Sequence, residues 1–530
     1  MKSRIIEKII GSLFLCLLAA ACTKDLNRLP IVQVTSAVVY NSPATIKDAL
    51  AKLYAGLSLS GQDVLANPDI NTQDVGSNVF LRNYFNAQEL TTDEAVIGWN
   101  DHDLQAYHNL NWTPSGYFDQ LMYDRVFFET AACNEFIREL PDSKINSFTG
   151  ADATNIKTYV NEARYLRALA YWIGMDLFGN LPFATEKDGV GSFTPPQASR
   201  DSVFKYVESE LLDLENLLPA PGQNEYGRAD QGAVWMLLAK IYLNAKVYTG
   251  QDRSTDAITY CNKIINSDAY TLATNYAQLF ETDNAATKEI IFPIRANGVT
   301  SQSYGNTTYI VHAEIGGNMD ATQFGIVAGG GWGGLRTTSA LVGLFSDPSG
   351  NTDKRAMFFT NGQTLAIKTI ANFGDGYAIT KFKNISSTGV PGSDPSKTFV
   401  DTDFPMFRLG DVYLMYAEAV LRGGSGGDQT TALNYVNLLR QRAYGDNSGN
   451  ITAGQLTLSF ILDERGRELY WEAQRRTDLI RFGLFTSASY LWPFKGGVEA
   501  GTGVDEKYNL FPISATDMVA NPNLKQNPGY

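Results

Sequence analysis

The 530-residue chain carries 43 basic and 56 acidic residues, which gives a formal net charge of −13 at pH 7. An acidic chain is a poor partner for nucleic acid, because phosphates select basic surfaces. Four cysteines are too few for a disulfide-rich scaffold. The three histidines match no zinc motif and no local signature of a serine or cysteine triad.

The N-terminus has the features of a bacterial lipoprotein signal. Three basic residues precede an apolar run, 9–20, after which small residues lead directly to Cys22. The run is too short for a membrane span and is typical of a secretory signal. We predict that residues 1–21 are a signal peptide and that lipidated Cys22 anchors the chain 22–530. An ordinary signal peptide with a nearby cysteine is the alternative.

Apolar residues recur with a period near 3.6 in several segments, and each such segment predicts an amphipathic helix. The clearest examples are 161–178, 230–245, 412–420 and 432–443. Paired helices with short turns predict a mainly α-helical scaffold whose helix pairs resemble tetratricopeptide repeats. We expect the helical tryptophans and the remaining cysteines to be core residues and buried free thiols. These residues are Trp172, Trp235 and Trp471, with Cys133 and Cys261.

Three stretches interrupt the helical pattern, near 60–118, 285–405 and 490–512. They are rich in Gly, Ser, Thr, Asn and aromatic residues, and they predict loops with small β elements over the helical base. Within the second stretch, EIIFPIR (289–295) and TTYIVHA (307–313) favour β structure. Functional residues concentrate on loops that a rigid scaffold holds, so we expect the functional site in these stretches.

The segment VAGGGWGGLRTT (327–338) places Trp332 among five glycines. Its GGGWGG matches G-x-G-x-x-G literally, but no βαβ unit surrounds it, and a bulky indole does not suit a pyrophosphate turn. Two interpretations stay open. Either the glycines let the loop present the indole to a ligand, or Trp332 anchors the loop in the interior. The similar run GGSGG (423–427) joins two predicted helices and is interpreted as a flexible turn.

Two charged segments are candidate sites. DERGRELYWEAQRRTDLIRFG (463–483) mixes acids and bases at helical spacing, which indicates ion-paired structure and not a basic binding patch. TDNAATKE (282–289) has oxygen donors for calcium, but one acidic loop is weak support. We therefore predict no metal or other cofactor.

Several of these segments together resemble the SusD/RagB family of outer-membrane nutrient-binding lipoproteins. The resemblance covers most of the chain, and its pieces are 162–183, 227–245, 405–422, 435–443, 464–483 and 511–530. It implies four TPR-like units beneath a loop-rich face and a lipid anchor at the cell surface. It also implies glycan binding without catalysis and a partner, a SusC-type TonB-dependent transporter that receives the glycan.

Further stretches are most similar to the family's starch-binding members, among them 72–95, 303–309 and 490–497. In those members an arc of aromatic rings follows an α-glucan and polar groups flank it. The resemblance implies that Tyr304 and Trp332 belong to this arc. It also implies that Arg82 and Asp74 are the flanking polar residues, although a structural ion pair is an equal alternative.

The chain departs from this pattern at two arc positions. The second arc tryptophan falls on Ile97, and a flanking asparagine falls on His102. We expect either that Trp99, two residues farther on, replaces the missing ring, or that the arc is reshaped for another polymer.

Three functions follow from these observations. The first is a non-catalytic surface lipoprotein that binds a glycan, most of all starch or another α-glucan, with dextran or fructan as alternatives. The second is peptide binding in the TPR-like grooves, as the RagB branch of the family suggests. The third is a glycosidase, which needs only two carboxylates. No residue pattern singles out such a pair, and we predict that the protein is not an enzyme.

Overall fold

The computed structural model describes residues 36–63, 67–72, 74–191 and 193–530. The signal peptide 1–21 and the lipidation site Cys22 lie outside these residues. Residues from Leu50 to Tyr530 form one unit, and the unit that precedes it ends at Ala49. No helix in the described ranges is both long and apolar enough to cross a bilayer.

Helices dominate the described part of the chain. They are α1 (Ser36–Val39), α2 (Pro43–Gly56), α3 (Phe80–Phe85), α4 (Ala106–Asn109), α5 (Tyr117–Glu139), α6 (Asp142–Ile145), α7 (Ala151–Phe178), α8 (Arg200–Leu214), α9 (Gln231–Leu243), α10 (Ala245–Thr249), α11 (Ser254–Ile265), α12 (Thr307–Ala313), α13 (Ser339–Val342), α14 (Leu409–Leu421), α15 (Gln429–Tyr444), α16 (Leu458–Leu469), α17 (Arg475–Arg481) and α18 (Ala515–Ala520). A π-helical turn, Asn86–Leu90, follows α3 directly.

The strands are short, and each pairs with one antiparallel neighbour. They are β1 (Gly61–Asp63), β2 (Asn67–Pro68), β3 (Val96–Ile97), β4 (Leu181–Pro182), β5 (Gln197–Ala198), β6 (Ile290–Ile294), β7 (Leu335–Arg336), β8 (Phe358–Phe359), β9 (Ala378–Ile379) and β10 (Phe404–Arg408). The pairs are β1–β2, β3–β7, β4–β5, β6–β10 and β8–β9.

The long helices pack on their chain neighbours and form the base of the fold. Helix α5 packs on α7, α7 on α8, α8 on α9, α9 on α11 and α11 on α14, which also contacts α15 and α16. On α7 the predicted apolar stripe, including Leu169, Ile173 and Leu177, is almost fully buried. Each buried side chain of this size contributes about 2 kcal/mol. The predicted mainly helical scaffold with small β elements is confirmed.

The prediction of buried free thiols is confirmed, and the prediction of buried tryptophans is confirmed for two of the three. Cys133 and Cys261 are buried free thiols, and Trp172 and Trp471 are buried. Trp471, however, follows the end of α16 at Leu469 and does not lie on a helix. Trp235 on α9 is only half buried. It lies on the edge of the apolar stripe, where the Lys263 ammonium approaches its ring to 5.8 Å.

The strand prediction for EIIFPIR is confirmed, because it becomes β6, but the prediction for TTYIVHA is wrong. Residues 307–313 form helix α12. The Asn306 side chain accepts a hydrogen bond from the Thr308 backbone N–H and caps the helix. Every residue of α12 is buried, so packing on all sides overrides the β preference of its branched side chains.

The charged segment 463–483 forms the buried ion pairs that its sequence predicts. On α16, the Glu468 carboxylate meets the guanidinium groups of Arg355, Arg408 and Arg442. Arg408 also pairs with Glu289 at 2.9 Å and with Glu472 at 2.6 Å. The buried ion-pair network is defined here as Glu289, Arg355, Arg408, Arg442, Glu464, Glu468 and Glu472.

Candidate functional site

An open cleft of about 860 Å³ brings together residues from several loops of the chain. It is lined by Asp74, Val75, Ser77, Arg82, Trp99, Asp101, His102, Tyr117, Phe118, Tyr304 and Trp332. All six side chains that the sequence nominates for glycan binding are among them. They come from positions up to 258 residues apart, between Asp74 and Trp332, so only the fold makes them neighbours.

A two-stranded sheet places two of the tryptophans side by side. Strand β3 pairs with β7, and the Gly98 N–H extends the pairing by donating to the Gly334 carbonyl at 2.9 Å. Trp99 therefore leaves β3 beside the point where Trp332 approaches β7, and their ring centroids lie 6.2 Å apart. A Cβ on Gly334 would come within 2.5 Å of the Trp99 ring, so only glycine allows this packing.

The end of helix α12 holds the loop that carries Trp332. The backbone N–H groups of Trp332 and Gly334 donate to the carbonyls of His312 and Ala313, at 2.7 and 2.8 Å. These are carbonyls of the last helical turn, which lack partners inside the helix. The Trp332 indole stacks on the His312 imidazole, with centroids 4.8 Å apart and planes at 29°. The glycines therefore fasten this loop to α12, while the indole remains at the cleft.

Three rings form a continuous row, defined here as the aromatic row, Tyr304, Trp332 and Trp99. Their successive centroid distances are 6.3 and 6.2 Å, and all three rings are half buried. The Trp99 indole N–H donates to the Trp332 carbonyl at 3.3 Å, which fixes its orientation. Half-buried rings with one surface on a cleft can stack against an apolar face of a ligand.

Trp99 lies two residues after position 97, where the sequence lacks an arc tryptophan. Ile97 is fully buried in β3, where it pairs with Leu335. Trp99 lies in the first irregular residues after the strand and lines the cleft. Of the two expectations for this departure, the placement of Trp99 beside Trp332 favours a replaced ring.

Arg82 and Asp74 form an ion pair at the cleft, with Arg82 Nη1 3.1 Å from Asp74 Oδ2. Their exposures differ sharply, since the Arg82 side chain is 5% exposed and the Asp74 side chain 64%. The Arg82 guanidinium also lies 4.5 Å from the centre of the Tyr309 ring. The Tyr309 ring therefore holds the buried Arg82 side chain in place. Of the two residues of the ion pair, Asp74 is the one that solvent or a ligand can reach.

A second group of rings on the cleft was missed by the sequence analysis, apart from His102. The His102 imidazole stacks face to face on Tyr117, with centroids 4.0 Å apart and planes at 21°. His102 has a left-handed φ of 49°, which a histidine adopts at some cost. Tyr117 opens helix α5, and its backbone N–H donates to Asp103 Oδ2 at 2.8 Å. In the sequence, Tyr117 stands at the start of a helix shortly after the loop IGWNDHD (97–103), and this position could have indicated that it lines the cleft.

The segment considered for calcium has its carboxylates engaged elsewhere. Asp283 accepts hydrogen bonds from Ser387, and Glu289 pairs with Arg408 and Arg442. In the described residues no group of three or more His, Cys, Asp or Glu side chains is arranged to hold a metal ion.

Comparison with known proteins places this chain in a family. The SusD family profile matches residues 346–530. The starch-binding protein SusD of Bacteroides thetaiotaomicron is 34% identical, with 100% of both chains covered. The SusD-like protein P25 of Formosa agariphila is 23% identical, with 99% of both chains covered.

Solved structures have the same fold. A SusD superfamily protein from Bacteroides vulgatus gives a TM-score of 0.70 at 20% identity, covering 93% of this chain and 100% of that one. Surface glycan-binding protein A from Bacteroides thetaiotaomicron, solved in complex with laminarihexaose, gives 0.70 at 21% identity, covering 91% and 99%. Identity over the full length of a curated relative and the shared fold lead to one conclusion: this chain belongs to the SusD family.

Proposed function

We propose that the cleft binds a neutral glycan, most of all starch or another α-glucan, and that it does so without hydrolysing it. The observation that carries this proposal is the aromatic row, because three half-buried rings line one cleft at centroid spacings of 6.2 to 6.3 Å. A pyranose ring has an apolar C–H face that a flat indole or phenol can cover. The similarity to the starch-binding SusD of Bacteroides thetaiotaomicron supports an α-glucan as the ligand.

The polar groups of the cleft suit a ligand rich in hydroxyls. The exposed Asp74 carboxylate accepts hydrogen bonds, and ion pairing with Arg82 holds it in place. Asp101 adds a second, exposed carboxylate at the lining. Neutral sugars offer no net charge, so stacking supplies affinity and these groups select hydroxyl positions.

The proposal extends to the cell surface. We infer that lipidated Cys22 anchors the protein to the outer membrane and that it passes glycan to a SusC-type TonB-dependent transporter. Membership of the SusD family and the lipobox-like sequence before Cys22 support this. Co-purification of the full-length protein with a transporter from outer membranes tests it, with the Cys22→Ala variant as the control for anchoring.

Calorimetry on the chain from residue 23 tests the ligand directly. Maltooligosaccharides, dextran, fructan, xylooligosaccharides and laminarioligosaccharides are titrated separately, with a lysine-free and a lysine-rich peptide as the peptide arms. We expect saturable binding of maltooligosaccharides with unchanged oligosaccharide chromatograms after long incubation. Binding confined to a peptide, or the appearance of new reducing ends, contradicts the proposal.

A further inference from the structure

His312 makes two contacts that a neutral histidine cannot both satisfy. Its Nδ1 lies 2.6 Å from the Gly330 carbonyl oxygen, and its Nε2 lies 2.8 Å from the Thr398 carbonyl oxygen. A carbonyl oxygen only accepts hydrogen bonds, and a neutral imidazole has one N–H. The imidazolium donates to both carbonyls, whereas the neutral ring directs a lone pair at one of them.

One of the two carbonyls lies on the loop that carries Trp332, and the other lies on a loop that packs against Tyr304. Gly330 lies two residues before Trp332, whose indole also stacks on the His312 ring at 4.8 Å. Thr398 precedes Phe399, whose ring lies 5.0 Å from the Tyr304 ring. His312 is therefore a bridge between the support of Trp332 and the support of Tyr304.

Burial and two backbone hydrogen bonds are the main causes of the pKa shift of His312, and no charged side chain is among them. On the Thr398 loop, the Asp394 carboxylate accepts from the Thr398 and Phe399 backbone N–H groups, and Lys397 donates to the Gly392 carbonyl. The loop 327–334 has no titratable side chain. Directly after α12, burial raises the pKa of Glu314, which favours its neutral form.

The pKa of His312 follows from two opposing effects. Burial lowers it below its usual value of 6.5, and the hydrogen bonds to the Gly330 and Thr398 carbonyls act in the opposite direction. Protonation therefore occurs on the acid side of neutrality, and any process that strengthens both hydrogen bonds raises this pKa.

We propose that His312 is a proton-dependent positioning residue, which bridges the two loops as an imidazolium when a glycan lies across Trp332 and Tyr304. This inference rests on the proposed function of the cleft. A ligand that spans both rings needs both loops in their bridged arrangement, so glycan binding is linked to proton uptake at His312. The affinity then rises as the pH falls, and the gain is lost as the pH rises through the pKa of the bound state.

Calorimetry with the preferred oligosaccharide between about pH 7.5 and pH 5 tests the linkage. We expect the dissociation constant of the unmodified protein to fall between about twofold and tenfold, since uptake of one proton gives at most tenfold per pH unit. The His312→Phe variant keeps a flat ring under Trp332 but has no nitrogen, and its affinity should not depend on pH in this range. The chain has only two other histidines. Burial lowers the pKa of His108 to about 3, outside this range.

The His102→Gln variant tests whether the pH dependence arises instead from His102, the histidine that lines the cleft. Whatever its absolute affinity, it should keep the pH dependence. A pH dependence that disappears in His102→Gln but persists in His312→Phe overturns the proposal, as does pH-independent binding by the unmodified protein.

If His312→Phe does not fold, ring-nitrogen NMR of the unmodified protein replaces it. The pKa of His312 should then rise on glycan addition, and an unchanged pKa refutes the linkage. Absence of any glycan binding instead contradicts the proposed function.

Discussion

The aromatic row and the buried ion-pair network use the most conspicuous side chains of this protein in opposite ways. In the network, guanidinium and carboxylate groups satisfy one another, with Arg355 and Glu468 fully out of contact with solvent. In the cleft, Trp332, Tyr304 and Trp99 leave part of their surface uncovered. Groups that are fully paired with the protein have nothing left for a ligand, so the partly uncovered rings are the surface for which we propose glycan binding.

A further buried ion pair, outside the defined network, lies near the ends of β3 and β7. The Arg475 guanidinium pairs with Asp93 at 2.7 Å, three residues before β3. The Thr338 hydroxyl, two residues after β7, donates to the Asp93 carbonyl. Buried charge pairs thus fix the ends of the small sheet that holds Trp99 and Trp332. Buried ion pairs therefore position this sheet, and the sheet in turn positions Trp99 and Trp332.

The largest effect that we expect is the loss of stability when acid protonates the carboxylates of the buried ion-pair network. Burial raises the pKa of Glu464, but Arg355, Arg467 and Arg440 overcome this and lower it to about 2. For Glu468 burial is likewise outweighed by Arg442, Arg408 and Arg355, and its pKa is far below the ordinary value. Both carboxylates therefore stabilise the fold above about pH 4.5, and this contribution is lost as the pH falls towards 2.

Urea unfolding at a series of pH values measures this loss. The free energy of unfolding should decrease continuously from about pH 4.5 downwards and reach cooperative unfolding in acid. The Glu464→Gln variant should start from lower stability and show a shallower pH dependence, because it has lost one of the titrating groups. An equal slope in both proteins would show that Glu464 is not among the groups responsible.

Removing one carboxylate from the network should cost nearly as much. Glu468→Gln leaves Arg355, Arg408 and Arg442 without their shared anion, and loss of one partner of a buried pair costs about 3 to 5 kcal/mol. Glu135→Gln is the matched control, because Glu135 forms a partly exposed pair with Arg138 and should lose under about 1 kcal/mol. Chemical denaturation measures both. Equal stability of the two variants would contradict the division between network and surface pairs.

Removing one ring from the aromatic row should affect binding more than folding. Trp332→Ala should weaken glycan binding by about 2 kcal/mol, roughly 30-fold, because a central half-buried tryptophan is a typical binding hot spot. Trp235→Ala removes another half-buried indole, on α9, away from the cleft lining, and should leave the affinity unchanged. Calorimetry compares them. Comparable losses in the two variants would mean that general destabilisation, and not stacking, explains the effect.

The sequence predicts the helices better than the site, for physical reasons. The apolar stripe on α7 is a local pattern of period 3.6, and it is buried as expected. The segment 307–313 was misassigned because its β-branched residues favour strands locally, while the surrounding core buries all of α12. Resemblance nominated Trp332 and Tyr304. The bridging contacts of His312 with Gly330 and Thr398 link distant residues, and no local pattern could show them.

The sequence leaves the role of Trp99 open between two expectations, and it does not indicate Tyr117 as a residue of the cleft. Trp99 became assignable only through the pairing of β3 with β7, which buries Ile97 and places the indole beside Trp332. Tyr117 stacks on His102 only because the loop before α5 turns back on the helix start. Both depend on tertiary contacts between segments distant in sequence or irregular in structure, which the periodicity of the sequence does not reveal.

The smallest expected effect decides whether Asp74 belongs to the cleft or to the supporting charges. Asp74→Asn keeps the shape of the side chain but removes the negative charge that is exposed above Arg82. If Asp74 accepts hydrogen bonds from sugar hydroxyls, the variant should bind about fivefold more weakly, the equivalent of about 1 kcal/mol. Stability should change by less than that, because a pair with one exposed member contributes little to folding. Calorimetry and chemical denaturation on the same samples measure both. Unchanged affinity with reduced stability would place Asp74 with the supporting ion pairs and confine the ligand-binding surface to the rings.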